Sequence, residues 1–121
     1  MMNVDLKTRT KGFAIRIIKL YADLPKSTEA QILGKQLLRS GTSVGAHYRE
    51  GMRARSDAEF ISKIEGGLQE LEESVYWMEL LIESDVIDEY SLSELIKEAD
   101  ELTAILITCV KKVKDRKEAK K

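Results

Sequence analysis

Apolar residues recur along this chain at alternating steps of three and four, the spacing that places them on one face of an α-helix. The clearest series lies in the middle of the sequence and comprises Ile61, Ile64, Leu68, Leu71, Val75, Met78 and Ile82. A second series, nearer the carboxyl end, comprises Leu92, Leu95, Ala99, Leu102, Leu106, Cys109 and Val113. Each series predicts an amphipathic helix with one buried face.

Capping signals predict where these two helices begin. Ser56 is followed three residues later by Glu59, and Ser91 is followed in the same way by Glu94. In this arrangement the hydroxyl and the carboxylate each accept a hydrogen bond from the backbone N–H of the other residue. The sequence therefore predicts helices over 56–84 and 91–117, with a basic disordered tail that continues to residue 121.

Two shorter stripes predict helices in the first half of the chain. The first stripe contains Phe13, Ile17, Leu20 and Leu24, and the second contains Ala30, Leu33, Leu37, Val44 and Tyr48. Pro25 ends the first helix, because proline lacks an N–H and restricts the residue before it, whereas Ser27 caps the second. The predicted ranges are 3–23 and 27–54.

Four helices with short connections predict an all-α fold, an antiparallel up-down four-helix bundle in a single domain over residues 1–121. In a hairpin that turns near residue 55, facing residues have numbers that add to about 110. This arithmetic places Gly45 opposite Gly66, where two glycines would let the helices approach closely. It also places Arg39 near Glu73, so we predict a structural role for these four residues.

Composition narrows the class of protein further. Of the 121 residues, 34% are charged and 6% are aromatic, and there is one proline, a mixture that favours helices over a β-sandwich. The single cysteine excludes a disulfide scaffold, and no apolar run approaches the ~18 residues of a membrane span. We therefore expect a cytoplasmic protein without a membrane partner.

The formal net charge of −1 hides three blocks of opposite sign. Residues 1–56 carry 11 Lys and Arg against 4 Asp and Glu, whereas residues 57–110 carry 2 against 15. Residues 111–121 are basic again, with 7 against 2. The basic segments could contact RNA, or they could pair with the acidic segment within one bundle or between subunits.

Catalytic and metal-binding motifs are weak. A di-iron bundle needs Glu-x-x-His on two helices, and His47 is the only histidine. The glycine-rich segment 40–45 lacks the Gly-Lys-Ser/Thr of a phosphate-binding loop, and Cys109 lies on an apolar stripe as a small buried thiol would. Tyr76 and Trp77 are predicted in the core or at an interface. We expect no enzyme, no cofactor or metal, and no small-molecule substrate.

A basic set remains as the candidate for nucleic-acid binding, because Lys and Arg can neutralise phosphates without reading bases. Its members are Lys35, Arg49, Arg53, Arg55, Lys111, Lys112 and Lys114. The alternative is an ordinary solvated helix face, since basic helix ends are common. Arg39 is left out of this set because pairing with Glu73 explains it better.

The segment from Leu24 to Phe60 resembles the bacterial 23S rRNA intervening-sequence protein family. The resemblance is carried by Leu24-Pro25, Gln36, Arg39, Ser43, Glu50-Gly51, Arg55-Ser56 and Glu59-Phe60. The chain departs from the family's usual Asn-Ile-Ala at His47-Tyr48-Arg49, and from its usual Gly-Ser at Gln69-Glu70. The resemblance implies an up-down bundle that assembles as a homopentamer. It also implies a relationship to the accessory protein of diversity-generating retroelements, a protein thought to bind nucleic acid through basic surfaces.

These observations lead to one functional hypothesis and one alternative. The first is a non-enzymatic homo-oligomer in which acidic helices meet the basic helices of a neighbour, and whose combined basic surfaces bind RNA. The alternative is a protein-interaction adaptor whose acidic helices dock a basic partner. The sequence leaves both open, and it does not identify the RNA or protein that would be bound.

Overall fold

The computed structural model describes residues 5–119, which form four α-helices. They are α1 (Leu6–Ala22), α2 (Thr28–Met52), α3 (Asp57–Glu83) and α4 (Glu89–Ala119). Connections of five, four and five residues join them, and such short connections make successive helices antiparallel neighbours. The predicted all-α up-down bundle is confirmed, and the described part of the chain contains no strand.

The beginnings of α2 and α3 follow the predicted capping. Ser27 Oγ accepts the Ala30 N–H at 3.4 Å, and Ser56 Oγ accepts the Glu59 N–H at 3.0 Å. The Glu59 carboxylate, however, accepts from the backbone N–H of Arg55 rather than from that of Ser56. In α1, Asp5 is the cap and accepts the Thr8 N–H, while positions 3 and 4 of the predicted helix lie outside the described residues.

The prediction that Ser91 caps α4 is wrong, because Asp88 takes that role. Its two carboxylate oxygens accept from the backbone N–H and the hydroxyl of Ser91, at 2.9 and 2.8 Å. These two hydrogen bonds hold the pKa of Asp88 below its ordinary value. The carboxylate satisfies first-turn donors, so α4 begins at Glu89, two residues before the predicted start.

Helix α4 ends at Ala119, two residues beyond the predicted end at residue 117, so residues 118 and 119 are helical and do not belong to a disordered tail. Three ion pairs hold its last turns: Lys111 with Asp115, Lys114 with Glu65, and Arg116 with Asp57. Two of them join α4 to the beginning of α3, so the end of α4 lies against the bundle. Lys120 and Lys121 lie outside the described residues.

One hydrophobic core is shared by all four helices. Its largest fully buried apolar side chains are Phe13, Ile17, Leu37, Val44, Ile64, Leu71, Met78, Leu81, Leu92, Leu102 and Leu106. Helix α2 packs between α1 and α3, and α4 packs on α3 and over a smaller area on α1. The stripe predicted for α3 faces the core, with Ile64, Leu71 and Met78 buried and the other four members half-buried against it. In the stripe predicted for α4, Cys109 and Val113 are half-buried and Val110 is buried instead.

The predicted contact between Gly45 and Gly66 is wrong. A Cβ on Gly45 would lie 3.1 Å from Thr10 Oγ1 on α1, whereas a Cβ on Gly66 would lie 2.7 Å from His47 Nδ1. Adding residue numbers across a hairpin gives only the level of a residue along the bundle. Helix α2 packs against α1 on one side and α3 on the other, so a residue at the right level can face either helix. A close approach between α2 and α3 occurs at Gly67, whose Cβ would lie 3.7 Å from the Val44 carbonyl oxygen.

Candidate nucleic-acid interface

The up-down topology gathers the end of α2, the beginning of α3 and the end of α4 at one end of the bundle. We call this the basic end, and define it by Arg49, Arg53, Arg55, Lys111, Lys112, Lys114, Arg116 and Lys117. The Arg116–Asp57 pair at 2.8 Å and the Lys114–Glu65 pair at 3.2 Å show that α3 and α4 meet there. Two basic segments far apart in the sequence thus form one surface.

Carboxylates already engage some cations of the basic end. Lys111, Lys114 and Arg116 are each in an ion pair. Five exposed cations have no ion-pair partner between residues 5 and 119, namely Arg49, Arg53, Arg55, Lys112 and Lys117. These five can neutralise an external anion without first breaking an internal contact.

A shallow depression lies within the basic end, with Arg55 and Arg116 on its wall. The side chains of Met52, Phe60 and Val113 also line it, and Met52 is 60% exposed. Asp57 lines the same depression and pairs with Arg116, so Arg55 is the guanidinium that can hold a phosphate there without breaking an ion pair, beside an apolar floor that leaves room for a sugar or base.

Lys35 is not brought to the basic end. It is exposed on α2, fourteen residues before Arg49 and therefore about 21 Å away along the helix axis. Fourteen residues are nearly four turns, so Lys35 and Arg49 share the outward face of α2. Of the seven predicted residues, the structure groups six and separates Lys35.

The opposite end of the bundle is acidic. The end of α3, the connection after it and the beginning of α4 carry Glu79, Glu83, Asp85, Asp88, Glu89 and Glu94. The basic block 1–56 forms α1 and α2, and the acidic block 57–110 forms α3 and most of α4, so the charge differs between the two helix pairs as well as between the two ends.

Internal pairing of the basic and acidic segments is confirmed, since Arg9 and Arg39 form ion pairs with the acidic segment in addition to Lys114 and Arg116 described above. Arg9 reaches Glu98 at 2.6 Å and Glu101 at 3.0 Å on α4, and its hydrogen bond with Glu98 raises the pKa of Arg9. Arg39 reaches Glu73 at 2.6 Å and Glu70 at 3.5 Å on α3, as hairpin arithmetic predicted. Arg39 is therefore engaged and is not a free phosphate ligand.

His47 lies in the same interface between α2 and α3. Its Nε2 is 3.7 Å from Glu70 Oε2, and its buried Nδ1 has no hydrogen-bond partner among residues 5–119. The described residues contain no group of three or more His, Cys, Asp or Glu that could hold a metal ion. Sequence reasoning missed the contact between His47 and Glu70. One feature of the sequence could have indicated it, because His47 and Glu70 both lie at positions where the chain departs from the pattern of the family that it resembles.

A second surface feature lies between α3 and α4. This α3/α4 groove is lined by Leu68, Leu71, Glu72, Glu73, Val75, Tyr76, Glu79, Asp100, Thr103 and Ile107. Tyr76 is 52% exposed in it, whereas the neighbouring Trp77 packs against the core and meets Tyr76 edge to face at 5.1 Å between ring centroids. The groove combines an apolar floor with an acidic rim.

Comparison with known proteins agrees with this architecture. Residues 2–108 match the family described as 23S rRNA-intervening sequence protein. A crystal structure from Bacteroides thetaiotaomicron, of a protein with unknown function from the S23 ribosomal protein family, aligns with a TM-score of 0.82 and 38% identity. The alignment covers 87% of this chain and 97% of that one. No curated protein matches the chain.

The matched residues end before the last turns of α4, so the cations from Lys111 to Lys117 are not part of the family match. None of the four helices described above combines the length and apolarity needed to cross a membrane. The match over residues 2–108 and the similarity of the solved structure together show that this chain belongs to the 23S rRNA-intervening sequence protein family.

Proposed function

We propose that this protein is a non-enzymatic, homo-oligomeric four-helix bundle that binds RNA through its basic end. The observation that carries the proposal is that Arg55, which has no ion-pair partner between residues 5 and 119, lines the same depression as Arg116 of α4, with the exposed Arg53 two residues before Arg55. The family description associates its members with intervening sequences of 23S rRNA, and this makes structured RNA the favoured ligand class.

The chemistry of such binding is phosphate neutralisation. Arginine and lysine release condensed counterions when they contact phosphates, and the affinity gained does not depend on base sequence. A single basic end offers few contacts, and an oligomer multiplies them through effective concentration. The proposed compartment is the cytoplasm, where the free thiol of Cys109 would remain reduced.

The test compares two charge reversals of equal size. Arg53→Glu with Arg55→Glu removes two phosphate ligands, whereas Lys26→Glu with Lys97→Glu makes the same charge change on exposed residues near the acidic end. Binding of a fluorescent RNA hairpin is followed by anisotropy over a salt series. The first variant should bind at least tenfold more weakly and lose about two from the slope of log K against log salt. The control should keep the slope of the unmodified protein.

An unchanged slope in the Arg53→Glu, Arg55→Glu variant would exclude the basic end as the RNA site. Equal losses in both variants would show that only overall charge matters. Circular dichroism of both variants establishes that they remain folded, and the exposed positions of all four residues make this the expected result.

A protein-interaction adaptor is the second candidate, and the α3/α4 groove is the observation that favours it. Its acidic rim and apolar floor suit a basic amphipathic helix. Under this function, Glu72→Lys with Glu79→Lys would abolish binding of a designed lysine-rich amphipathic peptide to a monomeric protein and leave RNA affinity unreduced.

A further inference from the structure

The rim of the α3/α4 groove carries charges that nothing within the described chain neutralises. Glu72, Glu79 and Asp100 are exposed and form no ion pair with any residue from 5 to 119. Between them, Tyr76 is 52% exposed and Ile107 on α4 is 51% exposed. Exposed apolar side chains surrounded by unpaired charges of one sign are typical of a binding surface.

The outer face of α1 has the complementary composition. Ile15 and Ile18 are 41% and 49% exposed, and they lie between Lys11 and Lys19 on the side of α1 that faces away from the core. Helix α1 contains no acidic residue, and neither lysine forms an ion pair in the part of the chain that the structure describes. Ile17 on the inner face is fully buried, so α1 cannot turn this outer face toward its own core.

The two surfaces also match in length. Lys11 and Lys19 are eight residues apart, about 12 Å along α1, and they bracket the two isoleucines. Glu72 and Glu79 are seven residues apart, about 10 Å along α3, and they bracket Tyr76. A helix laid along the groove could therefore bring both pairs of opposite charges together and cover the apolar side chains between them.

We propose that the α3/α4 groove of one protomer receives the outer face of α1 from a second copy of this chain. This inference rests on the homo-oligomer of the proposed function and names its interface. Charge complementarity argues for a second copy, because one chain carries both the unpaired basic face and the unpaired acidic groove. The contact is heterologous: each protomer offers one groove and one α1, so assembly continues until a ring closes.

Charge reversal on each side provides the test, with mass measured by light scattering behind a sizing column. Lys11→Glu with Lys19→Glu reverses the α1 face, and Glu72→Lys with Glu79→Lys reverses the groove. Each variant alone should fall toward the monomer mass of 13.7 kDa. An equimolar mixture should associate again, because the reversed face then meets the reversed groove. A chain carrying all four changes should self-associate.

Several outcomes would overturn this interface. If either single-side variant keeps the mass of the unmodified protein, α1 and the groove are not in contact in the assembly. If both variants become monomeric but neither the mixture nor the fourfold variant associates, the residues do not pair with each other. A monomeric unmodified protein that binds a lysine-rich amphipathic peptide through the groove would assign the groove to a different partner.

The RNA measurement separates failure of this interface from failure of the proposed function. The Glu72→Lys, Glu79→Lys variant leaves the basic end intact, so its RNA binding should retain dependence on Arg53 and Arg55. If this variant no longer assembles but its RNA binding still depends on Arg53 and Arg55, both the α1–groove interface and RNA binding by the basic end are supported. If substitution of Arg53 and Arg55 changes the RNA affinity of neither the assembled nor the monomeric protein, RNA binding by the basic end is excluded. The proposed interface is unaffected by that result.

Discussion

His47 Nε2 lies 3.7 Å from Glu70 Oε2, across the interface between α2 and α3. Arg39 approaches the other oxygen of the same carboxylate at 3.5 Å, and the Glu70 side chain is only 14% exposed. The chain departs from the resembled family pattern at both His47 and Glu70. The two departures therefore form one contact, in which a half-buried imidazole and a mostly buried carboxylate occupy adjacent space.

This contact should make substitutions at the two positions non-additive. Glu70→Ser should destabilise the fold by about 1 kcal/mol, because Arg39 and His47 both lose a carboxylate neighbour. His47→Asn in that background should cost less than it does alone, with a coupling of about 0.5 kcal/mol or more. Urea unfolding of the two single variants and the double variant measures this. Additive costs would show that the two side chains do not interact.

Two glycines should respond in opposite ways to an added methyl group. A Cβ on Gly41 would overlap the Ile17 side chain, whereas a Cβ on Gly12 would meet nothing within 4 Å. We expect Gly12→Ala to raise the free energy of unfolding by about 1 kcal/mol through helix propensity. Gly41→Ala should lower it, since overpacking costs about 1–3 kcal/mol and offsets the same gain. Thermal unfolding of both variants measures this. A higher melting temperature for both would contradict the close packing of α1 on α2.

The Asp88 cap gives a stability term with a definite pH dependence. Hydrogen bonds from Ser91 hold the pKa of Asp88 below its ordinary value, so the ionised carboxylate stabilises the folded state. That contribution is fully present above the unfolded pKa of about 3.9 and is lost as the pH falls through the lower folded pKa. Asp88→Ala should therefore unfold at lower temperature than the unmodified protein at pH 7. The difference should shrink below about pH 4, and a constant difference would exclude an ionised cap.

Cations within the basic end should differ in their contribution to RNA binding. Lys112 and Lys117 have no ion-pair partner among residues 5–119, whereas Lys111 is paired with Asp115 and Lys114 with Glu65. Lys112→Ala with Lys117→Ala should therefore weaken binding of an RNA hairpin more than Lys111→Ala with Lys114→Ala. Anisotropy at one fixed salt concentration compares the two pairs. Equal losses would mean that the internal ion pairs do not compete with phosphate.

The four helices could be predicted from the sequence because the features that define a helix lie within a few residues of each other. The apolar spacing of α3 and α4, and the Ser27 and Ser56 caps, depend only on neighbouring residues. Asp88 was missed as a cap because Ser91 offers an equally plausible local pattern, and the choice between them depends on how the chain leaves α3. A local pattern thus locates a helix better than it locates its first residue.

The candidate site was harder to predict because its composition depends on which neighbouring helix each side chain faces. Residue numbers gave the correct level for Arg39 and Glu73, but they could not show that Gly45 faces α1. By contrast, Lys35 and Arg49 lie in one predicted helix, so their separation of about four turns could have been read from the sequence. Which cations are already neutralised also depends on contacts between distant helices.

The difference in charge between the basic end and the acidic end gives the dipole moment of the molecule a component along the helices, in addition to the component across the bundle between the basic α1 and α2 and the acidic α3 and α4. In the field of a polyanion, a molecule with one basic end and one acidic end experiences a torque before any contact forms. The basic end turns toward the phosphates, and the acidic end is repelled. Orientation is thus selected during approach, and the rate of productive encounters should fall steeply as salt shortens the range of the field.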